Sequence, residues 1–177
     1  MKLKQLLFAS AISVAICTQT AMAQTPRWLD PQVNRVNTEK SRSSFFAYES
    51  ESLPKKGVKG ESNRFLSMEG TWKFRFCKDH NLAPKNFFLP DYDDTLWDKF
   101  PVPGLFEMNG YGDKIYKNVG YAWATQFASN PPHVEEKNNY TGSYRRTFNI
   151  PAQWKGDRIY VHVGSATSNL TLWVNGK

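Results

Sequence analysis

Apolar and polar residues alternate in five stretches of the chain, and period-two alternation marks a strand with one buried face. Thr71 to Phe76 alternates, with Trp72, Phe74 and Phe76 facing in. Tyr121, Trp123, Thr125 and Phe127 form a second candidate face. Tyr144, Phe148 and Ile150 share one face of a third, with Arg146 between them needing a partner or an edge position. Ile159, Val161 and Val163 line a fourth, and Leu170, Leu172 and Val174 a fifth. The last stretch runs into Asn175-Gly176, the strongest short hairpin signal, because both central residues of a type I′ turn need positive φ. A hairpin demands a returning strand and only Lys177 follows, so the chain is expected to be the front end of a longer protein.

Pro- and Gly-bearing loops separate these stretches: Pro101 to Gly112, Pro131-Pro132, Pro151 and Gly164. Short strands so punctuated, with no long amphipathic helix, predict an all-β sandwich or jelly roll. Asp93 to Trp97 predicts a single helical turn with an aspartate as its cap. Residues 24–62 show little periodicity and are rich in Ser, Glu and Lys, with one aromatic island at Phe45, Phe46 and Tyr48. They predict an irregular N-terminal arm pinned over the domain by those rings. The domain itself is expected over 63–177.

The first 23 residues have a different character. Lys2 and Lys4 precede an apolar run from Leu6 to Ile16, and Ala21-Met22-Ala23 gives a small-x-small cleavage site. That is the pattern of a secretory signal peptide, which implies a secreted or periplasmic protein. The apolar run is shorter than the roughly 18–20 residues of a membrane span, so no membrane partner is expected. Bulky Ile16 ahead of Cys17 argues against lipidation. The chain has 177 residues and a formal charge of +7, and losing the leader's two lysines leaves +5. Its basic residues are scattered among acids rather than gathered in the dense stripe that nucleic acid requires.

Candidate chemistry is sparse. Cys77 is the one cysteine beyond the leader, which excludes an internal disulfide, and at the end of a strand it reads as a structural thiol. Asp91, Asp93, Asp94 and Asp98, and the pair Glu135-Glu136, sit too close together in polar loops for acid/base work, which needs two carboxyls in different environments. Turns, caps and solvation account for them. His80, His133 and His162 are far apart and lack metal-ligand spacing, so no metal is expected. No phosphate loop, dinucleotide fingerprint or nucleophile elbow occurs. Six tryptophans remain: Trp28, Trp72, Trp97, Trp123, Trp154 and Trp173. Aromatic rings mostly mean core, although an exposed ring on a β-sandwich can also carry the apolar face of a sugar. Sequence leaves both readings open.

Taken in order, the segments resemble the N-terminal domain of β-galactosidases in glycoside hydrolase family 2. Phe65 to Phe74 is similar to the opening strand, with its L-N-G-x-W-x-F pattern. Trp97 and then Val102 to Gly112 resemble the loop W … V-P-x-x-W-E-x-x-G-Y-G. Ile115 to Tyr121 follows as I-Y-x-N-x-x-Y, Gly142 to Pro151 as G-x-Y-R-R-x-F-x-I-P, and Leu172 to Lys177 as the L-W-V-N-G-K hairpin. Trp28 to Arg35 and Phe45 to Tyr48 suit the N-terminal arm. There are departures: Phe106 stands where the family has Trp, Ala122 where Pro often follows the tyrosine, and Asn169 at a position commonly small and apolar.

The resemblance implies a galactose-binding-like jelly-roll sandwich, incomplete at its C-terminus. In the family an immunoglobulin-like domain and a (β/α)8 barrel follow it, and the barrel carries the two glutamates of a retaining glycosidase. On this reading neither lies in this chain, which therefore has no catalytic residue of its own. Its implied partners are a galactoside or other glycan and the remaining domains of the enzyme. Full-length relatives often use Mg and Na, but no cofactor is expected in this chain. Asn118 matches the asparagine that touches galactosyl hydroxyls, and its amide offers both donor and acceptor. The alternatives are a stand-alone carbohydrate-binding module and an inactive fragment.

Overall fold

The computed structural model describes residues 26–116, 120, 135, 137–167 and 169–177. The leader, the candidate strand Tyr121–Phe127, Pro131-Pro132, His133 and Glu136 lie outside the described residues. No helix among the described residues is long and apolar enough to cross a membrane.

A three-stranded antiparallel sheet organises the domain. Strand β1 (Gly70–Cys77) lies between β2 (Asp98–Val102) and β3 (Thr141–Arg145), in the order β2-β1-β3. The register places Trp72 opposite Phe100, and Phe74 opposite both Asp98 and Tyr144. Because side chains alternate across a strand, Trp72, Phe74, Phe76, Phe100 and Tyr144 share one face, as the alternation of β1 predicts. Phe74 and Phe100 are fully buried there. Phe74 is the centre of the cluster, with ring centroids of Phe100, Tyr144 and Tyr111 at 4.5, 4.8 and 4.9 Å. Phe106 closes the cluster by lying over β3 at Gly142. A Cβ on Gly142 would stand 2.6 Å from the Phe106 ring and 2.7 Å from that of Phe74, so only glycine lets the ring approach so near.

The opposite face of the sheet carries Lys73, Arg75, Lys99 and Arg145, and the 86–97 loop folds over part of it. Arg145 holds that loop. Its Nε donates to Asp94 Oδ2 at 2.8 Å, and its Nη1 donates to the carbonyls of Phe87 and of Leu89, the latter at 2.9 Å. Lys73 Nζ adds a bond to Asp94 O at 3.2 Å. A second aromatic group gathers in the loop: Trp97 against Phe87 and Tyr92, and Trp173 stacked on Phe88 at 5.2 Å.

Several expectations change at this level. Strand β2 falls where a loop beginning at Pro101 was expected. Proline is tolerated in β2 because, among the described residues, it is an edge strand, where a missing N–H removes no ladder bond that the sheet needs. Asp93 to Trp97 is a β-turn rather than a helical turn, closed by Trp97 N to Asp94 O at 3.1 Å. The expected aspartate cap is present, since Asp93 Oδ1 accepts from Thr95 N and Thr95 Oγ1 at 3.0 and 2.8 Å. Strand β3 stops at Arg145, leaving Phe148 and Ile150 outside it and exposed. Arg146 does find a partner, donating from Nη1 to the carbonyls of Met68 and Glu69 at 2.7 and 2.8 Å, with its guanidinium over the Trp72 ring. The stretches at Ile159–Val163 and Leu170–Val174 form no strand, because a ladder needs a partner's N–H and C=O groups and none lies alongside among the described residues.

The Asn-Gly turn forms as expected. Asn175 and Gly176 have φ of 51° and 83°, and Val174 and Lys177 exchange backbone hydrogen bonds at 2.8 and 3.2 Å. In the arm, Phe46 packs edge-on against Tyr48 and Phe65, whereas Phe45 is exposed. Glu49 accepts from Ser62 Oγ at 2.6 Å and Asn63 N at 2.8 Å, and one short helix, α1 (Ser52–Lys56), ends at Gly57 in the left-handed region.

Candidate functional site

The segment that leaves β2 builds one wall of an open cleft of about 740 Å³. Phe106 anchors it, because Asn109 N and Tyr111 N both donate to Phe106 O, at 2.9 and 3.0 Å. Asn109 Nδ2 adds a bond to Leu105 O at 2.8 Å. Tyr111 then turns its ring back into the aromatic cluster and donates its hydroxyl to Asp98 Oδ2 at 3.1 Å. Gly112, with φ of 72°, lets the chain reverse where a Cβ would stand 2.9 Å from the Tyr140 ring. The same loop leaves Met108 largely exposed and delivers Tyr116 at 90 % exposure.

The opposite wall comes from the approach to β3. Asn139 is fixed by Nδ2 donating to Glu135 O at 2.9 Å. Tyr140 packs on Phe76 and donates its hydroxyl to Asp113, tying the two walls together. That hydrogen bond, then burial and the negative charges of Asp113 and Glu107, pushes the Tyr140 hydroxyl above its usual pKa. Burial does the same to Tyr111, with Asp98 adding to it, and it pushes Tyr144 to about 12. All three phenols therefore stay neutral across the physiological range, those of Tyr111 and Tyr140 as donors.

Lys78, Lys114, Asn138 and Asn139 bring donors to this cleft, while Asp113 and Glu107 bring acceptors, beside the apolar surfaces of Met108 and Tyr116. A ligand with many hydroxyls and an apolar face uses all three kinds of contact. Asn118, expected from the family resemblance to touch sugar hydroxyls, lies outside the described residues, between Tyr116 and Gly120. Tyr116 belongs to the I-Y-x-N-x-x-Y segment, but no periodicity marks its ring as exposed. Among the described tryptophans, Trp72 Nε1 donates to Met68 O and Trp154 Nε1 to Asn63 O, Trp28 packs on His80, and Trp97 and Trp173 sit in the loop cluster.

The other candidates take structural roles. Asp93 caps its turn, and the Thr95 backbone bond chiefly holds its carboxyl below the usual range. Asp94 pairs with Arg145 and Asp98 with Tyr111. Cys77 donates to Leu82 O at 3.3 Å, and burial pushes its thiol up despite Arg75 nearby, the opposite of what a nucleophilic thiol needs. His80 lies beneath Trp28, its Nδ1 3.3 Å from Thr141 Oγ1, and His162 is exposed. Among the described residues no three His, Cys, Asp or Glu side chains come together to hold a metal ion.

Residues 65–177, which include all three strands and the described walls of the cleft, match the sugar-binding domain of glycosyl hydrolases family 2. The chain is similar to a β-galactosidase of Priestia megaterium, at 29% identity over 86% of this chain and 15% of the relative. It is 33% identical to a β-galactosidase large subunit of Leuconostoc lactis, over 85% of this chain and 25% of that subunit. A β-galactosidase of Halalkalibacterium halodurans is 30% identical over 85% and 15%. The chain thus spans between 15% and 25% of the length of these relatives.

Proposed function

We propose, since the chain belongs to glycosyl hydrolase family 2 through its sugar-binding domain, that it binds a galactoside or related glycan as the sugar-binding part of a β-galactosidase. The match over 65–177 carries the reading, because it covers the whole of the strand framework and runs through Asn118. The relatives bearing the name β-galactosidase supply the galactosyl preference. The three-stranded sheet is proposed to be part of a jelly-roll sandwich, with Asn118 meeting sugar hydroxyls through its amide. Hydrolysis with retention needs two carboxyls about 5–5.5 Å apart across the scissile bond. Asp93, Asp94 and Asp98 are already committed to a turn, an ion pair and a tyrosine, and the hydrolytic carboxyls are proposed to belong to other parts of the enzyme.

Titration of the chain with methyl β-galactoside, followed by amide resonances of the cleft walls, tests the reading. Saturable shifts confined to the cleft are expected, without release of nitrophenol from a nitrophenyl galactoside. Asn118→Ala should weaken binding by about 1–3 kcal/mol, because a sugar hydroxyl or its site partner is left unpaired. Absence of saturable shifts would overturn the reading, and unchanged affinity in the variant would remove Asn118 from it. Residues 1–23 are proposed to direct export. N-terminal sequencing of the exported protein should then begin at Gln24, and a start at Met1 would contradict this.

A further inference from the structure

The two walls of the cleft differ in their chemistry. The exposed apolar side chains that line it, Leu105, Met108, Ile115 and Tyr116, all belong to the loop after β2 and are 40% to 90% exposed. The facing wall brings the amides of Asn138 and Asn139, the latter fixed by its bond to Glu135 O. Two other rings line the cleft, and both are engaged elsewhere. Phe106 lies over Gly142 and packs on Phe76, while Tyr140 packs on Phe76 with its hydroxyl on Asp113. Among the described residues of the cleft, Tyr116 therefore presents the ring whose faces lie in water.

We propose that Tyr116 is the stacking platform of the cleft, and that it makes the cleft favour a galactosyl ring over the glucosyl epimer. The inference rests on the sugar-binding reading above and adds to it the residue that selects the sugar. The face of a tyrosine ring is electron-rich. Each ring C–H of a sugar sits on a carbon bearing oxygen, so its hydrogen is slightly positive and is drawn to that face. Leu105, Met108 and Ile115 have no such face and contribute apolar area alone. The axial hydroxyl of galactose projects from one side of the sugar and leaves an unbroken patch of C–H groups on the other. In glucose that hydroxyl is equatorial, the C–H groups are divided between the two sides, and neither side offers the same patch. Stacking the galactose patch on Tyr116 leaves the hydroxyls to meet the amides of Asn138 and Asn139 across the cleft, where donor and acceptor are both at hand.

Saturation-transfer NMR on the full chain, with methyl β-galactoside and methyl β-glucoside as probes, is the test. Saturation of the aromatic protons should pass most strongly to the C–H protons opposite the axial hydroxyl, and the galactoside should bind more tightly. Tyr116→Ala should weaken galactoside binding by about fivefold or more and remove most of the preference over the glucoside. Tyr116→Phe keeps the ring and should stay within about twofold of the parent, whereas Tyr116→Leu, which keeps only apolar area, should behave like the alanine variant. The side chain is 90% exposed, so all three variants should melt as the parent does. Unchanged affinity in Tyr116→Ala or Tyr116→Leu, a loss shared equally by both sugars, or a loss in Tyr116→Phe as large as in Tyr116→Ala would each overturn the proposal and leave sugar binding in place. Absence of saturable cleft shifts with either sugar would overturn both, so the two failures are told apart.

Discussion

Phe74→Ala is expected to remove about 3–5 kcal/mol of folding stability, the range for deleting a buried phenylalanine ring. Phe74 is one of two fully buried apolar residues described, and it sits on the central strand. The rings of Phe100, Tyr144, Tyr111 and Phe106 surround it, with centroids 4.5 to 5.6 Å away. Truncation leaves a void that those rings cannot all close, because each is tied elsewhere: Phe100 and Tyr144 by the register, Tyr111 by its bond to Asp98. Against a total stability of about 5–15 kcal/mol for a typical domain, such a loss is a large fraction. Thermal melting should fall by roughly 6–20 °C for a chain of this size. Phe45→Ala provides the control, since that ring is 71% exposed, and it should change stability by no more than about 0.5 kcal/mol. Equal melting of the two variants would show that the aromatic cluster is not the core.

Arg145→Ala should cost about 2–4 kcal/mol by urea denaturation, for a different reason. The Arg145 side chain is 16% exposed and that of its partner Asp94 26%, so water screens the pair only in part. Removing the arginine leaves a carboxylate and the carbonyls of Phe87 and Leu89 without their donor, and an unpaired group costs more than a made bond returns. The longer contacts to Pro90 O and Tyr92 O, both at 3.5 Å, add little. Arg145→Lys should recover less than half of the loss, because one ammonium cannot span the carboxylate and the loop carbonyls as a planar fork does. A double-mutant cycle with Asp94→Asn isolates the pair, with an expected coupling of about 1–3 kcal/mol. Full stability in Arg145→Lys would show that charge alone holds the loop.

Strand β1 was legible because the two influences on it agree. Its alternation from Thr71 to Phe76 states which face is buried, and as the central strand it has a ladder partner on each side. The Asn175-Gly176 turn was legible for a local reason, since the positive φ it needs belongs to those two residues and not to their neighbours. Strand β2 was hidden by Pro101, whose penalty depends on whether the strand is central or at an edge. Alternation at Ile159–Val163 and Leu170–Val174 predicts strands that the described structure does not form, because pairing is a property of two segments.

The candidate site divides in the same way. Composition and motif order determined the family and the mostly β character of this stretch of chain, because those are properties of residues and their order. Tertiary structure alone decided that Phe106 reaches across to Gly142, that Tyr140 ties the cleft walls through Asp113, and that Arg145 serves a loop more than fifty residues earlier in the chain. It also decided that Tyr116 stands in water at the cleft. Side-chain contact at long sequence separation depends on how strands are paired and loops laid over them, and no local period along the chain encodes that distance.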